Sequence, residues 1–233
     1  MFKVVTDYPL AVESDDHKHP EGIYHDNNLN LGFVESLEDY FDDKDIKQIN
    51  FMDLGCAGGE LVCHLHKKGH LAVGLEGSDH CLNIRQEMVE EVGMMPAGHK
   101  NWQEFGNKIL FTCDVTKKYQ VLLNDVPFKF DIITCWDVIE HFNDEDLDTY
   151  FNLVNNHLKD GGLFVSSIHM GESKRNTNSK NTPEELNYHK CIHGKDWWTN
   201  KLSEHFKLID FPFNESNRGH PAHHQDLFAC VKK

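Results

Sequence analysis

The chain has no unbroken apolar stretch of about 18 residues, the length a membrane-spanning helix needs, so no transmembrane segment is expected. Its first residues, MFKVVTDYPLAVESDD, hold one lysine followed by acid and lack the basic start and apolar middle of a secretory signal. Paired cysteines are missing too. The seven present, Cys56, Cys63, Cys81, Cys113, Cys135, Cys191 and Cys230, form no CxxC motif, are odd in number and mostly lie within apolar runs. That pattern reads as buried free thiols in a reducing compartment, and a cytoplasmic location is the expectation. Basic residues are scarce: 23 Lys and Arg stand against 38 Asp and Glu, a net charge of −15, with no basic block. A protein that tracks a phosphate backbone needs clustered positive charge. A nucleic-acid partner or an anionic membrane surface is therefore not expected, and a neutral acceptor fits better.

What is present suits one domain with a real core: 233 residues, 39% of them hydrophobic and 11% aromatic. Residues 1–32 are polar, rich in Asp, His and Asn, and weakly patterned; they read as a leader or lid preceding a domain over 33–233. Residues 33–46 space their apolar positions as an amphipathic helix does. From Ile49 onward, short β-type runs alternate with helical segments. INFMDL, LAVGLE, KILFTCD, FDIITCW and LFVSSIHM read as strands. ELVCHLHKKG, DHCLNIRQEMVEEVG and DEDLDTYFNLVNNHLKDGG read as helices, the last closed by its glycines. A helix near 195–205 precedes two closing strands, FKLIDFPF and DLFACVKK, one of them antiparallel. Apolar strands alternating with helices predict an α/β fold, a Rossmann-like three-layer sandwich around a mostly parallel seven-stranded sheet with its last strand antiparallel. The long polar stretch 170–192 reads as a lid or acceptor loop.

The most informative segment is Asp53-Leu54-Gly55-Cys56-Ala57-Gly58-Gly59-Glu60, which follows a strand and opens a helix. In open α/β sheets, ligands bind beyond the carboxyl ends of the strands at such a turn. Glycines there permit positive φ and close backbone approach, and the helix start offers free N–H groups. The spacing is GxxGG after Asp-Leu, and neither GxGxxG nor GxxxxGK[ST] occurs there.

With these residues in view, the chain resembles the class I S-adenosylmethionine (SAM) dependent methyltransferases over about residues 49–168. Asp53–Glu60 resembles their first signature, in which Gly55, Cys56, Ala57 and Gly58 would lie against the cofactor and Asp53 near the methionine ammonium. Glu76, followed by Gly77 and Ser78, falls where that family keeps a carboxylate for the ribose hydroxyls. Cys113-Asp114-Val115 resembles the segment that holds adenine, and Trp136 opens the fourth signature, where it would wall the adenosine or the acceptor unless it is simple core packing. Leu158–Leu163 resembles the turn before the fifth strand. The cofactor implied is SAM.

SAM brings the activated carbon, so the protein's task is to align the acceptor and, for an alcohol, to help remove its proton. Asp137, Glu140 and His141 have the spacing i, i+3, i+4 and would share one face of a helical turn at the end of the fourth strand. Two carboxylates and an imidazole suit a divalent ion such as Mg²⁺ or Mn²⁺, or they serve as a base and its supports. This D-x-x-E-H string resembles the E-x-x-E-H of ubiquinone-pathway and small-RNA 2′-O-methyltransferases, which implies the metal set Asp137, Glu140, His141 and His193. His193, before Trp197 and Trp198, is similar to the His-then-Trp element of methyltransferases acting on sugars, which makes it a fourth ligand or a catalytic base beside His141 and Asp137; His169 is its rival. The paired tryptophans would face a sugar ring or anchor the core. The stretch His19–Phe33 is similar to the entry segment of glycan-modifying relatives, which folds over the cofactor. These resemblances imply O-methylation of a sugar hydroxyl on a glycan or glycosylated metabolite. A phenol or quinone precursor, an RNA end and a non-catalytic SAM-binding protein stand as alternatives.

Overall fold

The computed structural model describes residues 1–20, 29–83, 98–172, 187–216 and 225–233. In chain order its elements are β1 (Phe2–Thr6), α1 (Asp15–Lys18), α2 (Leu31–Asp42), β2 (Asn50–Leu54), α3 (Glu60–Lys67), β3 (Leu71–Glu76), α4 (His99–Phe105), β4 (Leu110–Thr112), β5 (Tyr119–Leu123), β6 (Val126–Pro127), β7 (Phe130–Trp136), α5 (Leu147–His157), β8 (Leu158–His169), α6 (Lys195–His205), β9 (Phe206–Ile209) and β10 (Gln225–Lys232). Two 3₁₀ turns, Ile139–His141 and Asp144–Asp146, join β7 to α5.

Seven strands form one sheet in the order β4-β3-β2-β7-β8-β10-β9. β4 through β8 run parallel, and β10 lies antiparallel between β8 and β9. This is the expected Rossmann-like sandwich. The parallel strands are apolar along their length because helices cover both faces; every residue of β7 is buried. The chain runs outward from β2 to β4, then returns to β7 on the other side of β2. That reversal opens a crevice at the carboxyl ends of β2 and β7, where ligands of such sheets sit. Helix α2 begins at Asn30, whose side chain accepts from the Phe33 N–H at 3.2 Å, and buries Phe33, Val34, Leu37 and Phe41. Phe33 meets the Trp136 ring edge-on at 5.1 Å, which fixes the end of β7.

Three features differ from the sequence reading. A second, antiparallel sheet, β1-β5-β6, pairs the first residues of the chain with the segment before β7, so residues 2–6 are a strand within the stretch read as weakly patterned. Its hairpin turns at Asn124-Asp125, both with positive φ (52° and 64°), a two-residue turn that Asn and Asp tolerate. The long helix before β8 stops at His157, short of the glycines. Phe130 pairs with Leu158 and Ile132 with Leu163, so residues 159–162 loop out within the strand, and Gly161 takes φ +72° there. Most of the helix read over 79–93 and much of the stretch 170–192 fall outside the described residues.

Candidate active site

The turn after β2 is built around two glycines whose positive φ would strain any other residue. Gly55 has φ +74°, and a Cβ there would lie 2.3 Å from Val138 Cγ2. Gly59 has φ +76°, with a Cβ 2.7 Å from Leu110. Even Ala57 takes a positive φ, 44°. The loop is braced from neighbouring strands. The N–H groups of Gly55 and Cys56 donate to the Leu75 carbonyl at 2.8 and 3.1 Å. Trp102 on α4 donates from Nε1 to the Ala57 carbonyl at 2.7 Å. Gly58 is touched from α4 by Asn101, which donates to its carbonyl at 3.1 Å.

Glu76 closes β3 and accepts from the Ala57 N–H at 2.8 Å and the Ser78 N–H at 3.0 Å, one bond to each oxygen. A carboxylate has about four acceptor positions, so these bonds leave capacity for a ligand hydroxyl. Its pKa is pushed up to about 7: burial outweighs the bonds from Ser78 and Ala57, and the charge of Asp16 raises it further. Asp53 is buried and accepts from Thr134 Oγ1 at 2.6 Å, tying β2 to β7. Asp114, just beyond β4, accepts through Oδ1 from the Thr116 N–H and hydroxyl at 3.0 and 2.6 Å, which holds the turn and presents Val115 beside it. The thiols of Cys56 and Cys113 are buried, and burial raises both, that of Cys113 to about 12, so they are packing groups here rather than nucleophiles. Asp53, Gly55, Glu76 and Asp114 thus lie at the carboxyl ends of three adjacent strands.

Across the crevice, the chain leaves β7 through Asp137, which has φ 55°. A non-glycine residue in that region is uncommon, and Asp is among the residues that tolerate it best. Asp137 accepts from the Ser167 hydroxyl at 2.7 Å and from Gln225 Nε2, tying β7 to β8 and β10. The 3₁₀ turn that follows points Glu140 inward. Its Oε1 accepts from the His169 N–H at 3.0 Å, while Oε2 is buried and takes no hydrogen bond from a described residue. Burial pushes Glu140 up to about 8, against the opposing charge of His141. The ligand atoms of Glu140, His141 and His189 lie within 4.8 Å of one another. The His189 ring stands edge-on to His141 at 5.0 Å and tilts against His169 at 4.8 Å. His189 Nδ1 lies 2.6 Å from the Gly171 carbonyl, so it carries the proton and Nε2 keeps its lone pair; burial lowers the pKa to about 4, and the ring is neutral.

The i, i+3, i+4 residues are therefore not used as one face. Asp137 braces the strands, and the histidine gathered with Glu140 and His141 is His189, whereas His193 lies in a separate group with Asp144 and Cys191. His193 pairs instead with Asp144 at 2.9 Å, near Cys191, and stacks on Trp197 with ring centres 3.6 Å apart. Trp198 is fully buried and anchors α6. His169, the rival to His193, joins the cluster through its ring and its backbone N–H. Trp136 is buried against Phe33. The residues missed from sequence are Trp102, His189, Ser167, Gln225 and, from the N-terminal segment, Asp16, whose Oδ2 lies 2.7 Å from His141 Nδ1. None of the five stands in a motif; His189 had only its type to mark it among 17 histidines.

A family model described as a methyltransferase domain matches residues 28–212. The chain is similar to the mitochondrial ubiquinone biosynthesis O-methyltransferase of Saccharomyces cerevisiae, at 25% identity over 202 residues; the match takes in 79% of this chain and spans only 57% of that protein's length. Among solved structures, an S-adenosylmethionine-dependent methyltransferase from Clostridium acetobutylicum shares the fold with a TM-score of 0.54, at 17% identity over 88% of this chain and 92% of that one. The magnesium protoporphyrin IX methyltransferase of Synechocystis, solved with bound SAM, has a TM-score of 0.52 at 16% identity, covering 98% of this chain and 99% of its own.

Proposed function

The chain belongs to the methyltransferase-domain family, and from that premise we propose that it moves the methyl group of SAM to the hydroxyl oxygen of a small acceptor, a phenol or related ring hydroxyl. The observation that carries this reading is the cluster of Glu140, His141 and His189, gathered at the carboxyl ends of β7 and β8 beside the glycine turn. Methyl transfer needs an in-line approach and an acceptor oxygen relieved of its proton. A phenol, with a pKa of about 10, needs less help with that than an alcohol. Similarity to the yeast ubiquinone-pathway enzyme, which its name says is an O-methyltransferase, points the same way. A sugar acceptor has less support, because Trp198 is buried and Trp197 lies under the His193 ring, so neither indole is an open platform.

The donor set also fits a divalent ion. A buried carboxylate oxygen without a hydrogen bond, and a neutral imidazole whose other nitrogen is tied to a carbonyl, are features of metal ligands. Glu140, His141 and His189 would hold Mg²⁺ or Mn²⁺, and the ion would lower the pKa of the acceptor hydroxyl. Without it, His141 takes the proton itself, and Glu140 and His189 shape its surroundings. On the cofactor side, Glu76 takes the ribose hydroxyls and Asp114 the adenine amino group, while Asp53 stiffens the floor between β2 and β7.

The test is formation of S-adenosylhomocysteine from SAM with a panel of catechols, simple phenols and monosaccharides, with and without EDTA. Turnover of the phenolic compounds alone is expected. Turnover of the sugars alone would transfer the reading to glycan chemistry. Tight SAM binding with no turnover of either class would favour a non-catalytic SAM-binding protein. Loss of activity in EDTA, restored by Mn²⁺, selects the metal-assisted route.

A further inference from the structure

The segment that enters α6 carries a metal-ligating type of side chain at every second residue: His189, Cys191 and His193. The first belongs to the cluster with Glu140 and His141. The other two meet Asp144, from the second 3₁₀ turn after β7, and the ligand atoms of these three lie within 4.8 Å of one another. The two groups share no residue.

Local bonds bring the second group together. The N–H groups of Lys190 and Cys191 both donate to the Glu140 carbonyl, at 2.8 and 3.0 Å, which lays the segment along the turns after β7. Lys190 and Ile192 are exposed while Cys191 is fully buried, and its thiol donates to the Asp144 carboxylate. His193 Nε2 lies 2.9 Å from Asp144 Oδ2. The imidazole is held in that direction by Trp197, stacked on it at 3.6 Å with the ring planes 13° apart. The Asp144 side chain is 56% exposed, so an ion reaches the group from solvent without opening the core.

We propose that Asp144, Cys191 and His193 hold a Zn²⁺ ion that clamps the segment before α6 to the turns after β7. A thiolate, an imidazole and a carboxylate are donors that Zn²⁺ takes, whereas Mg²⁺ and Ca²⁺ take oxygen. Around a tetrahedral Zn²⁺ with bonds of about 2.0–2.3 Å, such donors lie about 3.3–3.8 Å apart, so shifts of about 1 Å close the set. Burial, and then the bond to Asp144, raise Cys191, so the metal-free group is a thiol. On binding, its sulfur–hydrogen bond is exchanged for a sulfur–metal bond, and the proton leaves to solvent. Lys201, whose charge bears on Asp144 and Cys191, is itself paired with Asp148 and Glu204 at 2.6 and 2.9 Å, so it does not leave the group cationic.

Co²⁺ is the probe, because it takes the same donors as Zn²⁺ and shows a sulfur-to-metal charge-transfer band in the near ultraviolet only when a thiolate binds it. The reduced, metal-stripped full chain titrated with Co²⁺ should develop that band, and added Zn²⁺ should abolish it. The band should be absent in Cys191→Ser, which keeps the other six cysteines. His193→Ala, at a partly exposed position, should weaken Co²⁺ binding by at least about tenfold, a loss seen even for groups that only support a ligand. Glu140→Gln alters the acceptor-side cluster, which holds no sulfur, and should leave the band in place. In that variant Zn²⁺, but not Mg²⁺, should raise Tm, since an ion that binds only the folded chain stabilises it. No band in the unaltered chain, a band that survives in Cys191→Ser, unchanged affinity in His193→Ala, a band lost in Glu140→Gln or no gain in Tm would each overturn the site. If Cys191→Ser does not fold, His193→Ala decides. No acceptor enters this experiment and it reads sulfur ligation, so a failed search for phenol turnover leaves its result standing, and its own failure leaves the choice of acceptor untouched.

Discussion

The two sides of the crevice are built by different means. On the proposed cofactor side, each element comes from one short stretch of chain: the turn Gly55–Gly59, then Glu76–Ser78, then Cys113–Val115, each at the end of its own strand. Their ties are largely backbone ones, such as the bonds from Gly55 and Cys56 to Leu75 and from Cys113 to Glu76. On the proposed acceptor side, the side chains of Asp16, Glu140, His141, His169 and His189 meet only because the chain folds back on itself. A pocket of backbone groups tolerates the loss of one side chain. A cluster of side chains, each oriented by another, does not.

The sharpest way to break this comparison is His141→Ala. It should lower kcat for a phenolic acceptor by about 10²–10⁴-fold, while SAM affinity measured by calorimetry stays nearly unchanged. Comparable damage to both quantities would mean that the two sides are not separable. The next effect concerns the support beneath the N-terminal segment. His157 stacks on Tyr119 of β5 at 4.6 Å, and burial lowers its pKa to about 4 from the usual 6.5. Between those values the unfolded chain binds a proton that the folded ring refuses, so stability is full above pH 6.5 and falls as pH drops toward 4. The shift corresponds to about 3 kcal/mol. Urea unfolding at several pH values should show His157→Gln losing that part of the acid dependence; identical pH profiles for the two proteins would count against it.

A smaller loss is expected on the cofactor side. Glu76→Ala should weaken SAM binding by about 1–3 kcal/mol, the scale of hydrogen bonds to a charged group, and calorimetry with unchanged affinity would remove Glu76 from the site. The smallest effect separates the two histidines that sequence and structure choose differently. His193→Ala removes a partly exposed pairing with Asp144 and should change turnover by less than about fivefold, since such pairs contribute at most about 1 kcal/mol. His189→Ala should cost at least tenfold more. The reverse order would return His193 to the site.

Most of the geometry on the proposed cofactor side was legible in advance because its requirements are local. Positive φ at Gly55, a carboxylate at the end of an apolar strand and Asp114 before a turn are each carried by neighbours in the chain. The sheet was legible for a related reason, since strands buried on both faces, such as FDIITCW, announce themselves by composition. The ends of elements were harder. Asp-Gly-Gly after α5 looks like a helix cap, yet the register between Phe130/Leu158 and Ile132/Leu163 absorbs those residues into a looped-out stretch of β8, a choice made by pairing with β7. Likewise FKVVT at the start of the chain has strand composition but too little length to be read alone; its partner, β5, lies more than a hundred residues away.

By itself, then, the amino-acid sequence determined the layer architecture, the turn after β2 and the placing of Glu76 and Asp114 at the ends of their strands, because backbone conformation and burial at those points depend on residues a few places apart. Only the tertiary structure decided which imidazoles meet. The spacing of Asp137, Glu140 and His141 suggested one shared face, but a left-handed residue at Asp137 and a tight 3₁₀ turn send the three side chains to different neighbours. His189 and Asp16 take the places beside His141 because the segment before α6 and the N-terminal helix are laid across the same sheet edge, held there by Lys190, Tyr188 and the backbone bonds of Tyr8 and Ala11. No local pattern encodes such a meeting, since it arises from where the sheet ends and from which segments cross it.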